Sequence, residues 1–380
     1  MIKSILKYIK ELISKLPKWE TVLFLLVFST NFSVGQFSIS QYIYIVLSIF
    51  FFWKCRELVK STRPILFFYY FLVMSVFNFI LYQNLSALGS SFRFVFNLFV
   101  YILLLVSFDN QLYRKRVIWG YIYACEFFSL VIIVQFIVYY IVGVNLQINI
   151  GQFDPTGNQY DHTGLLADKL YRTGGLFNEP SWYASFCAPC IFIVDKLRNR
   201  IGYLVCLFGI ILSTSGVGYA ALGVYGLWKT FKLKPIYTLM ILVIVISLLT
   251  PIMFLLAPSI DKLSLENSRL EVYAYIYSKA IISLFGVNLN SLYVTEGEFE
   301  YFLNTFSFVY LFWGLVGLFI FIRIFYYKKI VFLTIAIVAV IMIEGLYGRI
   351  DFWMMLLACR LFNSELAVEE QNKKCLIKAY

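Results

Sequence analysis

The sequence predicts an all-α polytopic integral membrane protein that crosses the bilayer about twelve times. Two observations favour this class. The chain of 380 residues is 61% hydrophobic and only 14% charged, which is more apolar surface than a soluble fold of this length can bury. Apolar segments also recur from near residue 20 to near residue 362 and leave no room for a separate soluble domain. We therefore expect residues 1–380 to form a single membrane domain.

The distribution of basic residues predicts the orientation. The segments between apolar spans are alternately rich and poor in lysine and arginine, and the rich segments hold most of the 32 basic residues. By the positive-inside rule the rich segments are cytoplasmic, so both termini lie inside and the number of spans is even. The basic residues on the opposite side are Arg93, Lys169, Arg172, Lys262, Arg269, Lys279 and Arg349. Since the net charge of +11 follows this alternation, we expect no nucleic-acid partner.

The first half of the chain begins with an amphipathic segment. Residues 1–18 carry apolar side chains at helical spacing and lysines on the other face, which predicts a helix on the inner leaflet rather than a cleavable signal. A short loop is expected at 83–91, and Arg93 after it is expected to extend its charge to the interface. The first five spans are predicted at roughly 20–36, 39–53, 65–82, 92–108 and 117–143.

Two large outer segments divide the second half. The first covers residues 144–179 and the second covers residues 258–303. A helix is expected within the second segment, from Asn267 or Ser268 to Leu284. Residues 363–380 are expected to form a cytoplasmic tail. The remaining spans are predicted near 180–195, 201–214, 217–231, 236–257, 304–326, 330–345 and 350–362.

Several kinds of chemistry have no sequence signal. Cys187-Ala-Pro-Cys190 has the spacing of a redox motif, but it lies in an apolar span without a thioredoxin pattern. No Walker loop, dinucleotide motif, metal-ligand spacing or nucleophile elbow is present. We therefore expect neither a metal nor another cofactor, and no ATP-driven transport by this chain alone.

Three arginines of the predicted outer face are candidates for anion binding. Arg172 precedes Gly174 and Gly175, which allow a sharp turn or a close backbone approach. Arg269 lies in the first turn of the expected loop helix, where the helix dipole disfavours a cation, so either a neighbouring glutamate or a ligand phosphate should accompany it. With Arg349, these arginines could bind a diphosphate through paired hydrogen bonds.

The junction at Glu179-Pro180 is a second candidate feature. Proline is favoured in the first turn of a helix, and the free N–H groups of that turn attract anions. Glu179 should stay ionised there, and it either accepts a proton from a sugar hydroxyl or only caps the helix or pairs with a cation.

The remaining candidates are weaker. Trp182 and Tyr183 could stack on a sugar ring or belong to an interfacial aromatic belt. Asn178 lies in the same stretch and is placed with the substrate-binding residues. His162, the single histidine, is either a surface residue or a base.

The sequence around these candidates resembles a known family. The stretch Arg172-Thr-Gly-Gly-Leu-Phe-Asn-Glu-Pro-Ser-Trp-Tyr-Ala184 is similar to the Arg-x-x-Gly-x-Phe-x-Glu-Pro-Ser motif of bacterial polysaccharide polymerases of the Wzy type, in the O-antigen ligase and polymerase superfamily. Weaker similarities follow in the same order as in that family. They are Ser213-Thr-Ser-Gly-Val-Gly218, Asn267-Ser-Arg269, Phe285-Gly-Val287, and Asn304 with Gly314-Leu-Val-Gly-Leu318.

The resemblance implies a membrane glycosyltransferase of the GT-C type at the outer face of the cytoplasmic membrane. Such an enzyme transfers a growing glycan from undecaprenyl diphosphate to the non-reducing-end sugar of another lipid-linked repeat, without nucleotide sugar or metal. Its partners would be that lipid-linked oligosaccharide, membrane lipids and a chain-length regulator. By the same resemblance Arg172 and Arg269 would bind the diphosphate, and Glu179 would orient or deprotonate the acceptor.

Two alternatives stay open at the level of sequence. Ligase relatives have a histidine before the late asparagine, whereas this chain has Leu303, which favours polymerase over ligase. A lipid-linked oligosaccharide flippase would also have about twelve spans, but it would carry charges along its spans and two similar halves. The two unequal outer segments do not follow that pattern.

Overall fold

The computed structural model describes residues 18–31, 33–34, 37–55, 63–82, 85–110, 112–144, 146, 164–166, 170–231, 284, 286, 304–343, 345–346 and 348–378. These residues are mostly helical. The first helices are α1 Lys18–Leu25, α2 Ile39–Cys55, α3 Arg63–Tyr82, α4 Leu85–Phe108 and α5 Arg114–Val142. The later helices are α6 Pro180–Lys196, α7 Arg200–Leu212, α8 Gly216–Thr230, α9 Thr305–Phe325, α10 Val331–Ile343 and α11 Ile350–Lys378.

The helices support the predicted class. By length and composition, three of the described helices can cross a membrane: Gly89–Phe108, Arg114–Val142 and Thr305–Phe325. Shorter apolar helices are Ile39–Lys54, Ile65–Ile80, Arg200–Leu212 and Val331–Met342. The chain is therefore a helical membrane protein by these criteria. The predicted span at 236–257 and the helix on residues 1–17 lie outside the described residues.

Three expected boundaries differ from the structure. The first span ends as an α-helix at Leu25, continues as a 3₁₀ turn Leu26–Asn31, and is followed by a two-stranded ladder of β1 Ser33–Val34 and β2 Phe37–Ser38. The Ser29 hydroxyl donates to the Leu26 carbonyl at 2.6 Å, a local bond that competes with the α-helical pattern.

The other two differences are extensions of helices. Helix α4 already begins at Leu85, so most of the expected loop at 83–91 is helical. Helix α11 continues through the expected tail to Lys378. Contacts hold this extension, since the Lys329 amide donates to Asn363 Oδ1 at 3.1 Å and Lys115 Nζ lies 3.2 Å from Glu365 Oε1.

Helix α6 and the start of α11 are almost completely buried in the core. Residues 350–359 are all buried, and so are residues 180–194 apart from Trp182. Helix α6 packs against α5, α7, α8, α10 and α11, while α11 also packs against α4 and α5. A helix that is apolar on every side is stable only when neighbours or lipid surround it. The helix that begins at the Glu179-Pro180 junction is therefore central in the described fold.

Charged contacts gather at one end of the helices. Arg114 Nη2 lies 2.9 Å from Asp109 Oδ1, and Lys229 Nζ lies 2.6 Å from Asp195 Oδ1. Arg116 pairs with Glu20 and Lys329 pairs with Glu370. All four basic residues belong to the segments predicted to be cytoplasmic.

Helix α9 is broken at Gly314. This residue has φ 65° and ψ −162°, a conformation essentially restricted to glycine. The break leaves carbonyl groups without helical partners, and neighbouring groups bind them. The side-chain amide of Asn78 donates to the Phe312 carbonyl. The Tyr70 hydroxyl donates to the Trp313 carbonyl at 3.2 Å. The Val316 amide beyond the break donates to the Leu284 carbonyl at 3.2 Å.

Replacing Gly314 by alanine should destabilise the protein, because a Cβ atom at this φ is strained by about 1–3 kcal/mol. We expect Gly314→Ala to lower the midpoint of thermal unfolding in detergent by several degrees. The matched control is Gly223→Ala in α8, where an added Cβ has no atom within 4 Å. That substitution should leave the midpoint unchanged or raise it. Equal midpoints for the two variants would contradict a strained break in α9.

Candidate functional site

The candidate site begins with a short hairpin. Strand β3 Gly164–Leu166 pairs antiparallel with β4 Leu170–Arg172, and Gly164 lies opposite Arg172. Arg172 is therefore the last residue of a strand that leads directly into the turn at residues 173–177.

A buried polar cluster fastens this turn to α5. The Thr173 hydroxyl donates to Gln135 Oε1 at 2.6 Å, and the Gly175 amide donates to Thr173 Oγ1 at 3.1 Å. Gln135 Nε2 donates to the Leu146 carbonyl at 3.0 Å and contacts the Gly175 carbonyl at 3.4 Å. Each of these polar groups thus has a partner, as burial requires.

Both glycines of the turn are required by their surroundings. Gly175 has φ +69°, and a Cβ atom there would lie 2.9 Å from Ile132 Cγ1. A Cβ atom on Gly174 would lie 2.5 Å from the Phe177 carbonyl oxygen and 2.8 Å from the Glu179 carbonyl carbon. Of the two roles considered for Gly174 and Gly175, the structure shows a turn, in which the Phe177 amide donates to the Gly174 carbonyl at 3.1 Å.

The start of α6 presents a carboxylate. Glu179 precedes the helix with extended backbone, and Pro180 occupies its first turn as predicted. The Glu179 carbonyl accepts from the amides of Trp182 at 3.1 Å and Tyr183 at 3.3 Å. Its side chain makes no capping bond to the backbone, and its Oε2 accepts instead from the Ser181 hydroxyl at 3.0 Å. The capping role considered from the sequence is therefore not observed.

Arg349 lies against this helix start although it is distant in sequence. Its guanidinium carbon is 3.3 Å from the centre of the Trp182 ring. Asp351, which is 2% exposed, binds the same guanidinium through Nε at 3.1 Å and Nη2 at 2.8 Å. Asp351 therefore occupies one edge of the Arg349 guanidinium.

The two neighbouring aromatic residues have different positions. Tyr183 is fully buried, and its hydroxyl bonds to Ser129 Oγ at 2.8 Å. The sugar-stacking role considered for Tyr183 is therefore wrong, because its ring packs in the protein core. Trp182 is half-buried and Arg349 covers one face of its ring, so a sugar could stack only on the other face. Asn178 is half-buried in the turn before the helix.

The structure adds two residues, Arg93 and Asn97, that the sequence did not assign to the site. A Cβ atom on Gly348 would lie 3.8 Å from Cδ of Arg93, which places Arg93 beside the turn that carries Arg349. One helical turn later, Asn97 is fully buried and its Oδ1 accepts from Gln41 Nε2 at 2.8 Å. Arg93 Nε and Asn97 Nδ2 are buried without a hydrogen-bond partner. The sequence signal that could have identified Arg93 and Asn97 is their spacing, since polar residues four positions apart in an apolar span lie on the same face of a helix.

The late asparagine of the sequence motif supports the same turn. Asn304 caps α9 by accepting from the Ser307 amide at 2.7 Å, and its Nδ2 donates to the Met342 carbonyl at 2.8 Å. The Leu346 amide donates to Thr305 Oγ1 at 2.6 Å. The start of α9 therefore holds the turn that leads to Arg349.

Two candidates cannot be placed. Arg269 and His162 lie outside the described residues, and so does the expected helix of the second outer segment. The described part of the chain contains no group of three or more histidine, cysteine or acidic side chains that could hold a metal ion.

Comparisons with known proteins give no relatives. No family model matches the chain, and neither a curated protein nor a solved structure is similar to it.

The Arg349–Asp351 pair should be energetically coupled. Arg349→Leu leaves the buried Asp351 carboxylate without its partner and should cost about 3 kcal/mol, seen as a lower midpoint of thermal unfolding. The double variant Arg349→Leu with Asp351→Asn should lose less stability than Arg349→Leu alone, because no unpaired buried charge remains. Additive losses in this double-mutant cycle would show that the pair is not coupled.

Gln135 should control the order of the turn at residues 173–177. Gln135→Leu removes the acceptor of the Thr173 hydroxyl and the donor to two carbonyl groups. We expect amide hydrogen exchange in residues 173–177 to rise about tenfold, measured by mass spectrometry in detergent. Exchange at residues 44–54 of α2, a helix that packs mainly against α4, serves as the internal control. An unchanged rate in the turn would exclude Gln135 as its anchor.

Proposed function

We propose that this protein is a polymerase of lipid-linked oligosaccharide repeats in a bacterial cytoplasmic membrane. It transfers a growing glycan from undecaprenyl diphosphate to the non-reducing-end sugar of another lipid-linked repeat, at the outer face. Its architecture under this proposal is of the GT-C type, with about twelve spans and both termini cytoplasmic. It uses neither metal nor nucleotide sugar.

One observation carries the proposal. The stretch that resembles the Wzy-type motif forms an anchored turn that ends in a carboxylate at the start of a buried helix, and Arg349 from a distant segment packs against it. Glycosyl transfer from a diphosphate donor needs a cationic group for the leaving diphosphate and an acceptor group for the hydroxyl proton. Both kinds of group occur in and around this stretch.

The reaction can be written with these residues. The acceptor hydroxyl oxygen forms a bond to the anomeric carbon of the donor sugar, and the bond from that carbon to the phosphate oxygen breaks. The diphosphate leaves with the electron pair, and Arg172 and Arg269 stabilise its charge through paired hydrogen bonds. Glu179 orients the acceptor hydroxyl or takes its proton.

Arg349 has a supporting role in this mechanism. Its contacts with Asp351 and Trp182 join the start of α11 to the start of α6. A guanidinium over an indole ring is attractive by about 0.5–2 kcal/mol, depending on exposure. Arg349 thus fixes Trp182, and with it the helix turn that follows Glu179. The half-buried Asn178 directly precedes Glu179 in sequence and is assigned to substrate binding in this proposal.

The assay combines purified protein with lipid-linked repeats in a buffer that contains a chelator and no nucleotide. A ladder of glycan lengths is expected. Arg172→Ala, Arg269→Ala and Glu179→Gln should each reduce the rate of ladder formation about a hundredfold, the usual cost of losing a charge-stabilising donor or a base. Lys169→Ala is the matched control, since it removes a charge from the same outer segment and should leave the ladder intact.

Two outcomes would contradict the proposal. Translocation of the lipid-linked repeat without any bond formation would identify a flippase. A normal ladder from the Arg172 and Arg269 variants would remove these residues from the site. Protein amount and elution volume on gel filtration, compared with Lys169→Ala, separate lost chemistry from lost folding.

A further inference from the structure

A second cleft lies between helices at a distance from the candidate site. It opens between α3, α4, α9 and α11 and has a volume of about 320 Å³, including its open mouth. Phe67, Leu98 and Leu105 form apolar walls, while Tyr101, Arg323 and Arg360 supply the polar groups. Arg360 lies eleven residues after Arg349, or roughly 16 Å along the helix at 1.5 Å per residue. The cleft is therefore separate from the Arg349 turn.

Its two arginines differ from five basic residues of the predicted cytoplasmic segments that form ion pairs. Arg114, Lys115, Arg116, Lys229 and Lys329 each have a carboxylate oxygen within ion-pair distance. Arg323 and Arg360 have no such carboxylate among the described residues. No carboxylate of the described residues therefore competes with an anion for these two guanidinium groups.

Tyr101 provides an independent indication of a ligand. The residue is 3% exposed, and its buried hydroxyl has no hydrogen-bond partner among the described residues. Leaving a buried hydroxyl unbonded is costly, and such groups in native proteins normally have a partner. An oxygen of a bound anion would accept a hydrogen bond from this hydroxyl.

We infer that this cleft binds a phosphate group, held by Arg323, Arg360 and the Tyr101 hydroxyl. A tetrahedral phosphate presents enough oxygens for two guanidinium groups and a hydroxyl together. The apolar walls beside the arginines fit the chains of an anionic phospholipid, and a free phosphate ion is the other source of the same group. Arg323 lies in the last turn of α9, just before Lys328 and Lys329, so the phospholipid belongs to the leaflet on the basic side.

The test is native mass spectrometry of the full chain purified in detergent and titrated with phosphatidylglycerol or phosphatidylcholine. Wild-type protein should retain phosphatidylglycerol more strongly than phosphatidylcholine. Arg323→Gln with Arg360→Gln should lower the affinity for phosphatidylglycerol about tenfold, and Tyr101→Phe should lower it about threefold. The matched control is Arg198→Gln with Arg200→Gln, which removes the same charge from exposed positions outside the cleft.

Thermal unfolding without lipid provides a second readout. Tyr101→Phe should unfold at the same temperature as wild type or higher, because it removes an unbonded hydroxyl. Added phosphatidylglycerol should raise the midpoint of wild type more than that of Tyr101→Phe. Should the glutamine variants fail to fold, Arg323→Lys with Arg360→Lys keeps the charge but lacks the paired donors, and it should bind with intermediate affinity.

A competition arm separates the two sources of phosphate. If millimolar inorganic phosphate leaves bound phosphatidylglycerol in place, the lipid is the ligand. If inorganic phosphate displaces the lipid and alone raises the unfolding midpoint of wild type but not of the glutamine variant, the free ion is the ligand. The inference is overturned if neither probe binds, or if the control variant loses as much lipid as the cleft variant. No glycan is present in this experiment, so its outcome is independent of the polymerase assay.

Discussion

The need to bond every backbone polar group away from water governs this fold. In lipid an unpaired amide or carbonyl has no solvent partner, so irregular backbone survives only where protein groups bind it. The structure meets this constraint at two places. Asn78 and Tyr70 bind the carbonyls that the break in α9 releases. Gln135 and Thr173 bind the turn that precedes α6. The candidate site depends on the second of these, because the turn places Glu179 at the start of its helix.

Much of the helical framework could be predicted from sequence. Hydropathy located most described helices to within a few residues, and proline chemistry located the start of α6 at Pro180. These features are local, so a single segment contains the whole signal. The 3₁₀ turn Leu26–Asn31 in the first span was not predicted, because hydropathy does not distinguish it from a continuous α-helix. The number of spans and the orientation stay predictions.

Contacts between distant segments could not be predicted from sequence. Nothing near Arg349 indicates that Trp182 lies beneath its guanidinium, because the contact depends on how α6 packs against α11. Adjacent residues can also differ in role. Each step along a helix turns the side chain by about 100°, so Trp182 reaches the surface while Tyr183 enters the core. Both residues are aromatic, so composition alone does not show which of them is buried. Arg93 was missed for the same reason, since its position beside Gly348 is a property of the packing.

The contacts of Gln135 have a consequence for how substrate preference could change during evolution. One side-chain amide nitrogen binds the carbonyls of Leu146 and Gly175, which lie near the two ends of the first outer segment. The ends of that segment are therefore held together independently of its content. Lengthening a closed loop adds little entropic cost, and loops are where recognition commonly varies. The part of this segment that precedes the hairpin can thus vary in length and chemistry while Arg172, the carboxylate and its helix are kept.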